Sequence, residues 1–365
     1  MNCVATGLSH GVRADPTHAA KAVRRALKRA KLTRANGVIL FLTHEYAANP
    51  EPALREAARA ANCMQVVGCT GTGVLTEEEW LLDSPGAAAM VFGGDIQLEL
   101  TADHMDDNEN LLSLCTPNGL DSDWLDIPAR RIGAISGDPF GQGPFKVWSG
   151  SRVVDSGRVE ARISHTHGAI VVSQGVRALT APIKVAEVDG HDLVRLGNYP
   201  ALNVLVRSLP QSVRDRKRIP LHLLMGGVTF GEPETAISEG RFRLNHIVSA
   251  NLNNQSITLA DRLRPGESLF WAIRDTLAAE REMKQTVQSA SNNLGEEPDF
   301  ALLFPCMGRG PHFYGNRDRD LELLQAAWPG LPTIGFYGNG EIGPLDTDNH
   351  LFQYSTIVGL FHRGR

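Results

Sequence analysis

Cysteine is scarce and unpatterned. The five are Cys3, Cys63, Cys69, Cys115 and Cys306, an odd number with no C-x-x-C spacing, so no disulfide framework can be read. Reduced thiols fit that pattern, and the expected compartment is the cytoplasm. No apolar run approaches the roughly 20 residues that span a bilayer. The opening MNCVATGLSHGVRADP lacks the charged start, apolar centre and small-residue cleavage site of an export signal. No membrane partner is therefore expected. Basic residues are not in excess: 36 Lys and Arg stand against 41 Asp and Glu, a net charge of −5, and nothing draws the chain to nucleic acid. HExxH, paired-cysteine and calcium-loop patterns are missing, so no metal set is expected.

What is present is a soluble α/β grammar. At 365 residues with 42% apolar content, length suggests two domains, placed at 1–195 and 196–365. Val4 to Leu8 reads as a strand, and Asp15-Pro16 opens a helix with apolar residues at helical spacing. Gly37 to Leu42 is a continuous apolar run, which predicts a strand covered on both faces. Asn49-Pro50 starts a second helix to Ala61, and Gln65 to Val67 is the next strand. Ala87–Phe92 and Ile96–Leu100 read as a strand pair turned at Gly93-Gly94-Asp95, and Thr101–Trp124 as polar loop or short helix. Strand signals follow from Ile132 to Val185, then a helix over Tyr199–Leu209. Strands are predicted at 221–225, 242–249 and 256–259, and an amphipathic helix from about Glu267, with Phe270, Ile273 and Leu277 on one face. Strands at 299–304, 332–334 and 354–361 and a helix over 321–327 complete the chain.

Two segments repeat in order and punctuation. GVILFLTHEYAANP, a helix, QVVGCTGTGVL and AAAMVFGG are echoed by DFALLFPCMGRGPHFYGN, a helix, PTIGFYGNGEIGP and STIVGLF. The expected fold is α/β, with two related α/β halves of mixed sheets and helices and a ligand cleft between glycine-rich loops. Ligands bind beyond the carboxyl ends of parallel strands, and each copy offers two such loops. The loops GCTGTG and GFYGNG share G-x-x-G-x-G, which is neither the Rossmann order nor a P-loop, and neither loop carries a lysine for phosphates. Their glycines can serve close backbone approach to a ligand or simply tight turns. The loop residues expected at the ligand are Gly71, Thr72, Gly73, Gly338, Asn339 and Gly340.

Cys306, Gly308, Arg309 and Gly310 form C-x-G-R-G after a buried strand. The guanidinium of Arg309 suits a carboxylate, and Glu341 can accept an ammonium, so together they suit a zwitterion such as an amino acid. The plainer alternative is that Arg309 and Glu341 pair and pin two loops. Cys306 with His312 or His350 as base would make a cysteine nucleophile, and Cys69 is a lesser candidate; a buried apolar role is the alternative for both. His165 and His167 alternate on a strand, but no third metal ligand is evident. His44 and His312 occupy corresponding loops, where either can be an axial ligand if haem fills the cleft.

These residues carry a family resemblance. LLFPCMGRGPHFYGN with PTIGFYGNGEIGPL and the closing strand resembles the C-terminal FIST domain; ANGVILFLTHEY with VVGCTGTGVLTEE resembles the N-terminal FIST domain. VVSQGVRALTAPIKVAEVDGHDLVRLGNYPALNVL resembles the stretch between them, whereas DPFGQGPFKVWSG is idiosyncratic. The resemblance implies a sensory module for small ligands, with amino acids proposed for the family, a haem-linked nitric-oxide-responsive subset, and no established catalytic residues. No output domain is read in these segments, so a separate kinase or cyclase is the expected partner. The leading expectation is a stand-alone small-ligand sensor rather than an enzyme. A haem-binding nitric-oxide sensor and a cysteine-dependent enzyme are the alternatives.

Overall fold

A strand that is apolar at every position needs cover on both faces, and the computed structural model supplies it. It describes residues 3–100, 110–215, 219–345 and 348–364. The chain divides into two compact units: unit 1 is Met1–Ser173 with Met283–Arg365, and unit 2 is Gln174–Glu282. The boundary expected at 195/196 falls inside unit 2.

Unit 1 uses one motif in three passes. The first is β1 (Val4–His10), α1 (Thr17–Ala30), β2 (Gly37–Thr43), α2 (Glu51–Ala61), β3 (Val66–Gly71), a hairpin of β4 (Gly73–Thr76) and β5 (Trp80–Leu81), and β6 (Gly86–Phe92). The second is β7 (Leu98–Leu100), β8 (Asn110–Cys115), a short α3 (Ser122–Leu125), β9 (Arg130–Ile135), a hairpin of β10 (Val147–Ser149) and β11 (Arg152–Val153), and β12 (Arg158–Ile163). The third opens with β13 (Thr166–Ser173) and is interrupted by unit 2.

Unit 2 contains β14 (Val176–Ala178), β15 (Ile183–Asp189), β16 (Asp192–Leu196), β17 (Tyr199–Pro200), α4 (Ala201–Ser208), α5 (Gln211–Arg214), β18 (Leu224–Thr229), α6 (Pro233–Ala236), β19 (Phe242–Asn251), β20 (Ser256–Leu259) and β21 (Ser268–Arg274). Antiparallel pairing runs β21–β15–β16–β20–β19–β18 and returns to β21, which closes the sheet on itself. Val185, Leu193, Leu224, Ile257 and Trp271 pack together in its core.

The third pass then resumes with α7 (Thr276–Leu294), β22 (Phe300–Pro305), α8 (Arg319–Ala327), β23 (Thr333–Tyr337), a hairpin of β24 (Glu341–Leu345) and β25 (Asp348–Phe352), and β26 (Thr356–Arg363). Three six-stranded sheets result, with one order: β1-β6-β2-β3-β10-β11, β7-β12-β8-β9-β24-β25 and β13-β26-β22-β23-β4-β5. In each, the third and fourth strands are the parallel pair. Every hairpin leaves the sheet of its own pass and extends another. β4–β5 joins the third sheet, β24–β25 the second, and β10–β11 the first. The duplication read from the sequence is thus part of a cyclic triplication.

Side-chain alternation explains the layers. Ile39 and Phe41, Leu112 and Leu114, and Phe300, Leu302 and Phe304 point into one core shared by all three sheets. Val38, Leu40 and Leu42 point outward beneath α1 and α2, and Ala301 and Leu303 beneath α7 and α8. The buried stripe of α1 is rich in alanine, so the helix lies close to β1: a Cβ on Gly7 would come within 2.3 Å of the Ala22 carbonyl oxygen.

Several expectations change. Ser268–Arg274 is strand β21, and the helix begins only at Thr276, because the apolar FWAI run builds the barrel wall. Of the polar stretch 101–124, residues 101–109 lie outside the described residues, while 110–115 form β8, an inner strand of its sheet. β6 and β7 are not a hairpin: β6 pairs with β1 and β2, and β7 with β12. Among the described residues no helix is long and apolar enough to cross a membrane.

Candidate functional site

The crossings from parallel strand to exchanged hairpin are where the passes meet. Gly71-Thr72-Gly73 joins β3 to β4, and Gly338-Asn339-Gly340 joins β23 to β24. The Thr72 N–H donates to the Tyr337 carbonyl (3.1 Å), the Asn339 N–H to the Ile135 carbonyl (3.0 Å), and the Ser136 hydroxyl to the Thr70 carbonyl (2.6 Å). These links close a ring around the three passes. The glycine loops therefore do converge, but protein fills the space at their glycines. An added Cβ would strike the Phe336 ring from Gly71, the Leu81 carbonyl and Leu82 from Gly73, and the Ile135 carbonyl from Gly338. Gly340 and Gly310 are nearly as confined, against Leu351 and the Tyr337 ring. Asn339 is half-buried beside Gly137, and the Thr72 hydroxyl is buried with no hydrogen-bond partner among the described residues.

One position breaks the repeat. In each pass a glycine of the parallel pair's second strand abuts the carbonyl of its neighbour: Gly68 at Leu40, Gly133 at Ser113, Gly335 at Leu303. The hairpin residue paired just beyond these glycines is Val147, Glu341 and Val74 respectively. Both valines belong to the shared core. Where they would place an isopropyl group, the second sheet receives a carboxyl, and Glu341 is 0% exposed. Its Oε2 accepts the Ser355 hydroxyl proton (2.6 Å), while Oε1 has no hydrogen-bond partner among the described residues. Burial pushes the Glu341 carboxyl up to about 8, against stabilisation of its charge by Ser355, Cys306 and the Arg309 guanidinium. Burial therefore favours the neutral form of this carboxyl.

Cys306 lies next to it, at the end of β22, with Sγ near the backbone N–H groups of Gly308 and Tyr354. Burial and then the adjacent Glu341 push the thiol up, away from the thiolate that a nucleophile requires. Cys69 is likewise raised by burial.

Arg309 occupies the last position of a 3-10 turn, Met307–Arg309, that follows β22 as His44–Tyr46 follows β2 and Pro117–Gly119 follows β8. Its ion pair is with Asp320. The guanidinium is 2% exposed and grips Asp320 through Nε (3.0 Å) and Nη2 (3.1 Å), with Nη1 donating to the Ser173 carbonyl (2.7 Å) and Nη2 to the Ser173 hydroxyl (2.8 Å). Asp320 also accepts from Tyr314 (2.9 Å) and Thr356 (2.6 Å). Arg309 thus pins three elements, β13, α8 and β26, under the crossing. Beside it, Asp318 caps α8 through the Leu321 N–H and accepts the Tyr337 hydroxyl; burial, then the neighbouring Asp320, raise its carboxyl to about 6.

Asp318, Asp320, Ser173 and Ser355 escaped the sequence reading. The R-D-R-D run before Leu321 was the available signal, since Asp ahead of an apolar helix marks a cap. Of the candidate histidines, His312 is near Asp83 (3.9 Å), His44 near Glu45 (3.7 Å), and His350 sits on β25 opposite Gly343. His167 and His362 share Glu296 at 3.1 and 3.3 Å, while His165 is a left-handed turn residue. Among the described residues no group of three His, Cys, Asp or Glu is placed to hold a metal.

Comparison with known proteins adds one domain. Residues 201–344 match the FIST C domain, which supports a FIST relation for that part of the chain. An uncharacterized protein of Mycobacterium bovis is 29% identical over 238 residues, which cover 65% of this chain and 61% of the relative. An uncharacterized protein of Mycobacterium tuberculosis is 28% identical over the same length, covering 65% and 62%. The match thus spans under two thirds of these relatives. F-box only protein 22 of Homo sapiens is 31% identical over 110 residues, 25% of this chain and 26% of its own.

Proposed function

We propose that this chain is a small-ligand-binding sensory protein and that Glu341 receives the cationic group of its ligand. The FIST C match supports the sensory reading, since that domain is associated with sensory signal transduction. The observation that carries the site is a fully buried carboxyl, beside the Cys306 thiol, whose Oε1 has no hydrogen-bond partner among the described residues and which stands where the other passes bury valine. A buried polar atom without a partner is costly, and a site that keeps one has a reason to. An ammonium group would satisfy it, and a small charged metabolite such as an amino acid carries one. Because Arg309 already holds Asp320, the ligand's anionic end must be met by other groups. A separate kinase or cyclase as output partner belongs to the same proposal.

The test is thermal-shift screening of wild type with amino acids and simple alkylamines, repeated for Glu341→Gln. At least one ligand is expected to raise Tm in wild type and not in the variant. Its affinity is expected to rise with pH from about 6 and level off above about 8, because the cation selects the carboxylate over the neutral acid. A complete absence of response, or an equal response in Glu341→Gln, would remove the site.

A further inference from the structure

The three passes also differ on their outer faces. The second hairpin strand carries Trp80 on the third sheet and Leu351 on the second, each packed against its local apolar cluster. The matching residue on the first sheet, opposite Trp148, is the smaller Val153. A groove of about 780 Å³ opens there between α2 and the β10–β11 hairpin, with Ala58 and Val153 among its apolar lining.

Its walls are basic on both sides. Arg55 and Arg59, one helical turn apart on α2, line one wall, and Lys146 and Arg152 the other. Glu51 and Asp155 are the acidic residues lining it, so cations outnumber carboxylates by four to two. Arg59 pairs with Glu56 at 3.0 Å. The side chains of Arg55, Lys146 and Arg152 have no ion pair among the described residues. Cations on the two walls, across a space large enough for an organic molecule, outnumber the carboxylates there, so their repulsion is only partly offset.

We propose that this groove is a second binding site, for a small organic dianion whose charged groups engage Arg55 and Arg152 from opposite walls while its carbon body lies over Ala58 and Val153. Phosphate esters and dicarboxylates share that chemistry. The site is independent of Glu341 and of the sensory reading built on it.

The experiment is calorimetric titration of the full chain with two arms, glycerol phosphate and succinate, and with glycerol as the uncharged control. At least one arm is expected to bind, and glycerol to give no heat. The response of one arm alone identifies the preferred anionic group. Binding is expected to weaken as NaCl rises from about 50 to about 300 mM, as screened charge interactions do. Arg152→Glu is expected to weaken it by at least about tenfold, the loss of one charge-assisted hydrogen bond. Both Arg55 and Arg152 are exposed, so Arg55→Glu/Arg152→Glu should keep the wild-type circular dichroism while losing the heat altogether. Glu341→Gln should bind the dianion as wild type does. No heat from either arm, or binding that survives the double reversal, overturns the proposal.

Discussion

Glu341 sets the protein's most specific residue-scale behaviour. A carboxyl raised from 4.5 to about 8 is one that the fold prefers neutral. Its contribution to stability is complete below about pH 4.5 and is lost as pH rises through about 8, at up to about 1.4 kcal/mol per pH unit. Urea midpoints measured from pH 5 to 8.5 should fall more steeply for wild type than for Glu341→Gln. Equal slopes would mean that the carboxyl is not held neutral. Glu341→Val, which restores the residue type of Val74 and Val147, should raise stability at pH 8 by about 1–2 kcal/mol while abolishing ligand response. Arg309 should behave in the opposite way. Arg309→Met strands Asp320 in a fully buried site and is expected to cost about 3–5 kcal/mol, whereas adding Asp320→Leu should recover part of the loss. If Arg309 faced a ligand instead, its removal would leave stability nearly unchanged.

At the scale of elements, the strand glycines are set by close approach of neighbouring strands. Gly335 has an ordinary backbone conformation, yet a Cβ there would fall 1.6 Å from the Leu303 carbonyl oxygen. Gly335→Ala is therefore expected to destabilise by about 3 kcal/mol, since two packed strands must separate. At Gly141, with φ +67° and open space around it, alanine should cost only about 1 kcal/mol from the left-handed backbone. Denaturant unfolding of both variants separates packing from conformation. These glycines also show what was legible. G-x-x-G-x-G announced two passes because both crossings turn through glycine on each side of one residue. The second pass reads I-G-A-I-S-G-D, with serine and aspartate at the later glycine positions, and its hairpin follows only after the long 136–146 connection. Its first glycine, Gly133, was the one remaining trace. Hairpin exchange was invisible for a physical reason: alternation tells which face of a strand is buried, not which neighbour it pairs with. Continuous apolar runs gave the inner strands correctly, because burial on both faces leaves that signature, but the helical spacing of Phe270, Ile273 and Leu277 made β21 resemble a helix. Cys306 and Glu341 lie side by side, and Arg309 is near enough to favour the Glu341 charge. The role of Arg309 was not legible, because its partner Asp320 lies on a helix whose rotation the sequence leaves open.

At the scale of the molecule, the insertion is the feature that the repeat explains. The first pass connects β1 to α1 through Gly11–Pro16. The third replaces that link with unit 2, and α7, aligned with α1 at its carboxyl end and trimmed to equal length, begins at Arg281. The buried clusters divide accordingly: one set draws only on unit 1 and the other only on unit 2. Each unit then has the core that independent folding requires. Replacing Gln174–Glu280 by the sequence GVRADP should leave a chain that unfolds in one cooperative urea transition and retains sharp near-ultraviolet circular dichroism. Because Glu341, Ser355, Cys306 and Arg309 all belong to unit 1, the shortened protein should also keep the Tm response to the cationic ligand. A broad transition with dye-binding apolar surface would show that the triplicated motif is not self-sufficient. Cooperative folding without ligand response would instead place part of the recognition on unit 2, and would separate the architecture from the site that it carries.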